Sequence, residues 1–131
     1  MSDPTAMAVK VVDASALSAM LFGEPEGEAV ARSLSEGRLV APTLLGFELA
    51  NVCVVKCRRH PAQREALIEA FGYRTRLPIE ELAIDHDAAR ALAEETGLTA
   101  YDASYLWLSL TLGAELITLD RRLQAAALGA G

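Results

Sequence analysis

The chain reads as an α/β protein in three layers, with a short, mostly parallel central sheet flanked by helices. Three observations predict this. Short β-rich apolar runs alternate with segments of helical periodicity along the whole length. Glycines and prolines fall at the joints: Gly23, Gly37 and Gly97 close helices, while Pro25, Pro42 and Pro61 open them. Acidic residues stand where strands stop or helices begin. Strands that alternate with helices imply a parallel sheet covered on both faces, with ligand sites beyond the carboxyl ends of the strands.

Residues 1–6 are small and polar and read as a flexible leader ahead of a single domain spanning 7–131. The first strand is 9–12, ending at Asp13. Ser15 is placed to cap a helix over 16–22, which Gly23 ends. Pro25 suits the first turn of a second helix running to residue 35. Residues 38–41 form a brief strand, and Pro42 and Thr43 open a long helix reaching about residue 60. Apolar residues surround nearly the whole circumference of that helix, which predicts burial on most sides. A helix over 61–71 follows, then a short strand at 79–84 and an alanine-rich helix at 87–96. The chain closes with a helix at 99–112, a strand at 115–119 and a helix at 121–128. There is no internal repeat and no low-complexity linker.

At 131 residues the chain has the length of one domain. Its 52% hydrophobic and 23% charged residues exclude disorder and leave apolar surface for a homodimer or a partner protein. The longest nearly uncharged run, 103–114, is shorter than the about 20 residues that cross a bilayer. No basic start leads into an apolar stretch with a cleavage site, so a cytoplasmic location is expected. Cys53 and Cys57 lie four apart on one helix and read as thiols. His60 shares their face, but without a fourth ligand the trio is an incomplete zinc pattern. The net charge of −6 is unevenly spread: residues 56–76 hold six basic side chains against two acidic ones. Lys56, Arg58, Arg59 and Arg64 in that segment are candidates for contact with a nucleic-acid backbone, against the plainer reading of a solvated helix surface.

Four acids carry the chemistry. Asp13 follows an apolar strand, at the rim of the sheet, where the competing role is a turn or cap. Glu48 shares a helical stripe with Leu44, Asn51 and Val55, which sets two polar side chains into an apolar face. Asp102 stands three after Thr99, so a capping box competes with a ligand role. Asp120 ends a strand, with Thr118 on the same strand face. Four carboxylates converging on one site repel strongly without a cation, and hard oxygen donors select magnesium, with manganese able to substitute. Neither His60 nor His86 lies near these motifs, and there is no phosphate-binding GxxxxGK[ST] loop.

The order VVDASAL, PTLLGFELANV, LTAYDASYLWL and LITLDRRL resembles a PIN-domain ribonuclease of the VapC toxin type, from about residue 9 to residue 123. The resemblance implies a PIN-like fold and a magnesium-dependent endoribonuclease that leaves a 3′-hydroxyl and a 5′-phosphate. Asp13, Glu48, Asp102 and Asp120 take the acidic quartet. Asp13 and Asp102 are implied as direct magnesium ligands, with Glu48 and Asp120 acting through water or a second metal. Ser15, Asn51 and Thr118 match the polar positions that support them. A cognate antitoxin covering the acidic groove and a homodimer are implied as well. Two other classes compete. One is a catalytically silent PIN-like module that binds RNA or protein. The other is an aspartate-nucleophile phosphatase, which resembles D-x-D where this chain has Asp13-x-Ser15.

Overall fold

The computed structural model describes residues 8–130, and the leader expected at 1–6 lies outside them. Four strands among these residues form one sheet: β1 Val9–Val12, β2 Arg38–Pro42, β3 Ile79–Leu82 and β4 Glu115–Ile117. Their order is β3-β2-β1-β4, and every pairing is parallel. The register sets Val11 against Val40 on one side and Leu116 on the other. Val11 and Val12 are wholly buried, as befits a central strand covered on both faces.

Among the described residues, seven helices flank the sheet: α1 Ala14–Leu21, α2 Gly27–Leu34, α3 Leu45–Arg59, α4 Arg64–Gly72, α5 His86–Thr96, α6 Ala100–Leu112 and α7 Arg121–Ala130. Short 3₁₀ turns at Pro61–Gln63 and Tyr73–Arg76 bracket α4. The chain steps from β1 to β2 to β3 in one direction, then returns past β1 to the opposite edge at β4. Right-handed crossovers therefore put α1 to α4 over one face and α5 and α6 over the other. In agreement, α1 packs on α2 and α3, while α6 packs on β1, β2, β4, α5 and α7. Leu17, Leu45 and Leu49 meet Val11, Val40, Leu106 and Leu123 in one core.

Three expectations shift. Helix α1 starts at Ala14 and is capped by Asp13 rather than Ser15, because Asp13 keeps extended backbone while its side chain accepts the Ala16 N–H. Pro42 does not open α3: it pairs with Leu82 as the last residue of β2, and α3 begins three residues later. Nor is α3 buried on most sides. Leu45, Leu49 and Cys53 are its buried residues, whereas Phe47 and Val54 are exposed.

The reversal of winding direction beside β1 opens a crevice at the carboxyl ends of β1 and β4. That is where open parallel sheets bind ligands.

Candidate active site

Asp13 leaves the end of β1 with both carboxylate oxygens engaged. Oδ1 accepts the Ala16 N–H at 3.0 Å and the Ser15 hydroxyl at 2.7 Å, and Oδ2 accepts the Thr118 hydroxyl at 2.5 Å. Thr118 also accepts the Asp120 N–H at 3.0 Å, and Ser15 accepts the Leu119 N–H at 3.0 Å. Hydroxyls beside the acids thus staple the ends of β1 and β4 together. Asp120 then starts α7 by accepting the Leu123 N–H at 2.9 Å.

The other two acids arrive on helices. Glu48 lies in the first turn of α3 and Asp102 in the first turn of α6, where the helix dipole favours a carboxylate. The Thr99 hydroxyl accepts the Asp102 N–H at 3.1 Å, so Thr99 caps α6 and fixes where Asp102 stands. Glu48 accepts the Tyr105 hydroxyl at 2.6 Å, a bond from α6 to α3. All four acids line one open cavity of about 420 Å³, together with Ser15, Asn51, Phe47, Tyr101 and Tyr105. Thr118 is buried beneath it.

Burial pushes the Asp13 carboxyl above its ordinary value despite three hydrogen bonds that favour the charged form, and Asp120 adds repulsion. Glu48 is raised by burial and then by Asp102 and Asp13, against the bond from Tyr105. Asp102 is raised by burial and by Asp120, with Thr99 and Arg122 opposing. The Tyr105 hydroxyl is driven upward by burial and by donating to Glu48, so it stays a proton donor at any physiological pH. Three carboxyls are thus held together at an electrostatic cost that a shared cation would relieve.

The donors are all hard oxygens, which suit magnesium or manganese. Among the described residues, no three Asp, Glu, His or Cys side chains already close around a single point. Magnesium keeps several waters and takes one or two protein carboxylates, so acids facing one another across an open cavity match it better than a tight cage would.

The four cationic candidates divide into two places. Lys56, which pairs with Glu24 at 2.7 Å, and Arg59 line a second cavity of about 510 Å³. This cavity shares Ser15, Ser18, Asn51 and Val52 with the acidic one. Arg58 and Arg64 instead border a separate cavity of about 360 Å³ with Cys53, Cys57, Ile68 and Phe71. Both cysteines are free, and Cys53 faces the Leu67 carbonyl at 3.7 Å, the setting of a packed thiol rather than a zinc ligand.

Tyr105 is the residue that spacing did not single out. In LTAYDASYLWL it reads as one more core aromatic, yet three positions beyond Asp102 it shares that acid's helical face, and this is the signal that finds it.

The PIN domain family model matches residues 10–128. Ribonuclease VapC3 of Pyrobaculum aerophilum is 34% identical over 118 residues, covering 86% of this chain and 90% of that protein. Ribonuclease VapC9 of Mycobacterium tuberculosis is also 34% identical, covering 86% and 87%. The crystal structure of PAE2754 from Pyrobaculum aerophilum superposes with a TM-score of 0.74 at 27% identity, over 93% of this chain and 87% of that one. Mycobacterium tuberculosis VapC20, titled a sarcin-ricin loop cleaving toxin, gives a TM-score of 0.65 at 16% identity over 89% and 94%, a likeness of fold alone. With the acids assembled at the switch point of the sheet and relatives matched over most of the chain, the protein belongs to the PIN-domain family, among its VapC-type members.

Proposed function

We propose that this protein is a magnesium-dependent endoribonuclease toxin, cutting RNA phosphodiester bonds at the four-carboxylate cavity and neutralised by a cognate antitoxin. The observation that carries the reading is the gathering of Asp13, Glu48, Asp102 and Asp120 around one open cavity. The ribonuclease names of the relatives support it.

Asp13 and Asp102 are the residues assigned to hold magnesium directly, with Glu48 and Asp120 reaching it through water or a second ion. When bound, the cation would polarise a phosphodiester and acidify a water that attacks in line with the leaving oxygen. The chain's own residues position that chemistry. Thr118 and Ser15 occupy Asp13 so that its carboxylate cannot swing away, and Tyr105 does the same for one oxygen of Glu48. Asn51 stands on the cavity wall, where its amide can meet a substrate phosphate or a water. Lys56 and Arg59 stand in the adjoining cavity, beside Glu24 and Glu26, as the groups suited to the RNA backbone. A homodimer and a cytoplasmic site of action complete the proposal. No helix among the described residues is long and apolar enough to cross a membrane.

The test is incubation of the purified, antitoxin-free chain with end-labelled total RNA in magnesium or EDTA, beside Asp102→Asn. Discrete magnesium-dependent fragments, absent from the variant, are expected, ending in 3′-hydroxyl and 5′-phosphate. RNA that is bound but never cut under any divalent metal would instead identify a silent binding module.

A further inference from the structure

The rim of the acidic cavity carries two aromatic rings that the chemistry above does not use. Phe47 is 85% exposed and Tyr101 67% exposed. Each immediately precedes a cavity acid, Glu48 on α3 and Asp102 on α6, and both rings line the cavity itself. Neighbouring positions on a helix point about 100° apart, so when Glu48 and Asp102 face inward their predecessors stand at the lip. The two rings thus come from different helices onto one opening. The core has no need of them: Tyr105, also on α6, is buried, while Phe47 remains open although α3 offers Leu45 and Leu49 to the interior.

An exposed aromatic beside a carboxylate cluster is a poor anchor for a phosphate, but it is a good surface for a nucleobase. Base–aromatic stacking is tolerant of sequence, because every base has a π-face. It requires a base free of its helical stack, since in A-form duplex the faces are covered and the deep groove is closed to side chains. The rings share their cavity with the four acids to which the nuclease reading brings RNA, and that favours a nucleic-acid occupant of the rim.

We propose that Phe47 and Tyr101 form a stacking platform for the bases that flank the scissile phosphate. The proposal rests on the nuclease reading above for its substrate. The backbone enters the acids while the bases turn outward onto the rings.

The experiment uses a mixed-sequence oligoribonucleotide with 2-aminopurine at its centre, single-stranded or annealed to its complement. Each form is bound to Asp102→Asn protein, so that no turnover is needed. Stacking is expected to quench the fluorescence of the single strand and leave the duplex unchanged. Adding Phe47→Ala or Tyr101→Ala should restore the fluorescence and weaken binding about tenfold. In the active background the same substitutions should raise KM by a similar factor and leave kcat nearly constant, with Phe47→Trp retaining the wild-type KM. Fluorescence and KM both indifferent to the two alanines would overturn the proposal and assign the rings to a protein partner. Quenching that depends on the rings in a protein that cuts no RNA would uphold the platform while removing the nuclease reading.

Discussion

Asp13, Glu48 and Asp102 each sit above the ordinary carboxyl range, so ionising them is harder in the folded chain than in the unfolded one. The sign of the pH dependence follows. Their protonated forms favour the fold, and that advantage is lost as pH rises from the unfolded values, near 3.8 for aspartate and 4.5 for glutamate, through the raised folded ones. Without metal, Asp102→Asn is expected to melt a few degrees above wild type at neutral pH, with the gap closing toward about pH 4. Melting curves in EDTA across that range measure it, and a gap that does not depend on pH would contradict the electrostatic cause. Magnesium should raise the melting temperature of the wild type and have little effect on the variant. Tyr105→Phe removes one hydroxyl and leaves Glu48 unclamped. Magnesium affinity by calorimetry is expected to fall on the order of 10- to 100-fold while the fold is kept. The acids were legible in the sequence because they stand where strands stop or helices begin, three of them after or among apolar residues. Tyr105 was not, since its partner lies 57 positions away and only the folded chain brings the two together at the crevice.

At the scale of elements, strand and helix order was readable from periodicity, but the joints were decided by contacts no local pattern contains. Pro42 reads as a helix opener, yet its place at the end of β2 beside Leu82 keeps it in the sheet. The apolar girdle of α3 reads as burial, although part of it faces the active-site rim. Helix α2 has a tighter requirement. A Cβ at Gly27 would stand 2.5 Å from the Ala19 carbonyl oxygen, so glycine lets α2 lie against α1. Gly27→Ala is expected to destabilise by about 1–3 kcal/mol, because the obstacle is backbone. Urea unfolding should show a lower midpoint with an unchanged slope. A changed slope would mean that α2 no longer packs as it does here.

For the molecule as a whole, a net charge of −6 coexists with two basic side chains, Lys56 and Arg59, in the cavity next to the site, where Glu24 and Glu26 also stand. Binding to RNA should therefore weaken with salt chiefly through Lys56 and Arg59. Removing either is expected to reduce the slope of log affinity against log salt by about 0.7, whereas Arg58→Ala and Arg64→Ala leave it unchanged. Filter binding with Asp102→Asn protein at several salt concentrations decides this, and equal effects from all four would place the backbone elsewhere. The sheet has a further consequence at this scale. Its outer strands, β3 and β4, run to four and three residues and carry exposed Glu80, Glu81 and Glu115. A chain that is 52% hydrophobic thus offers its neighbours only short, negatively charged strand borders. Strand borders this short and acidic disfavour edge-to-edge pairing with a second copy, so the sheet is poorly suited to growing into amyloid-like stacks.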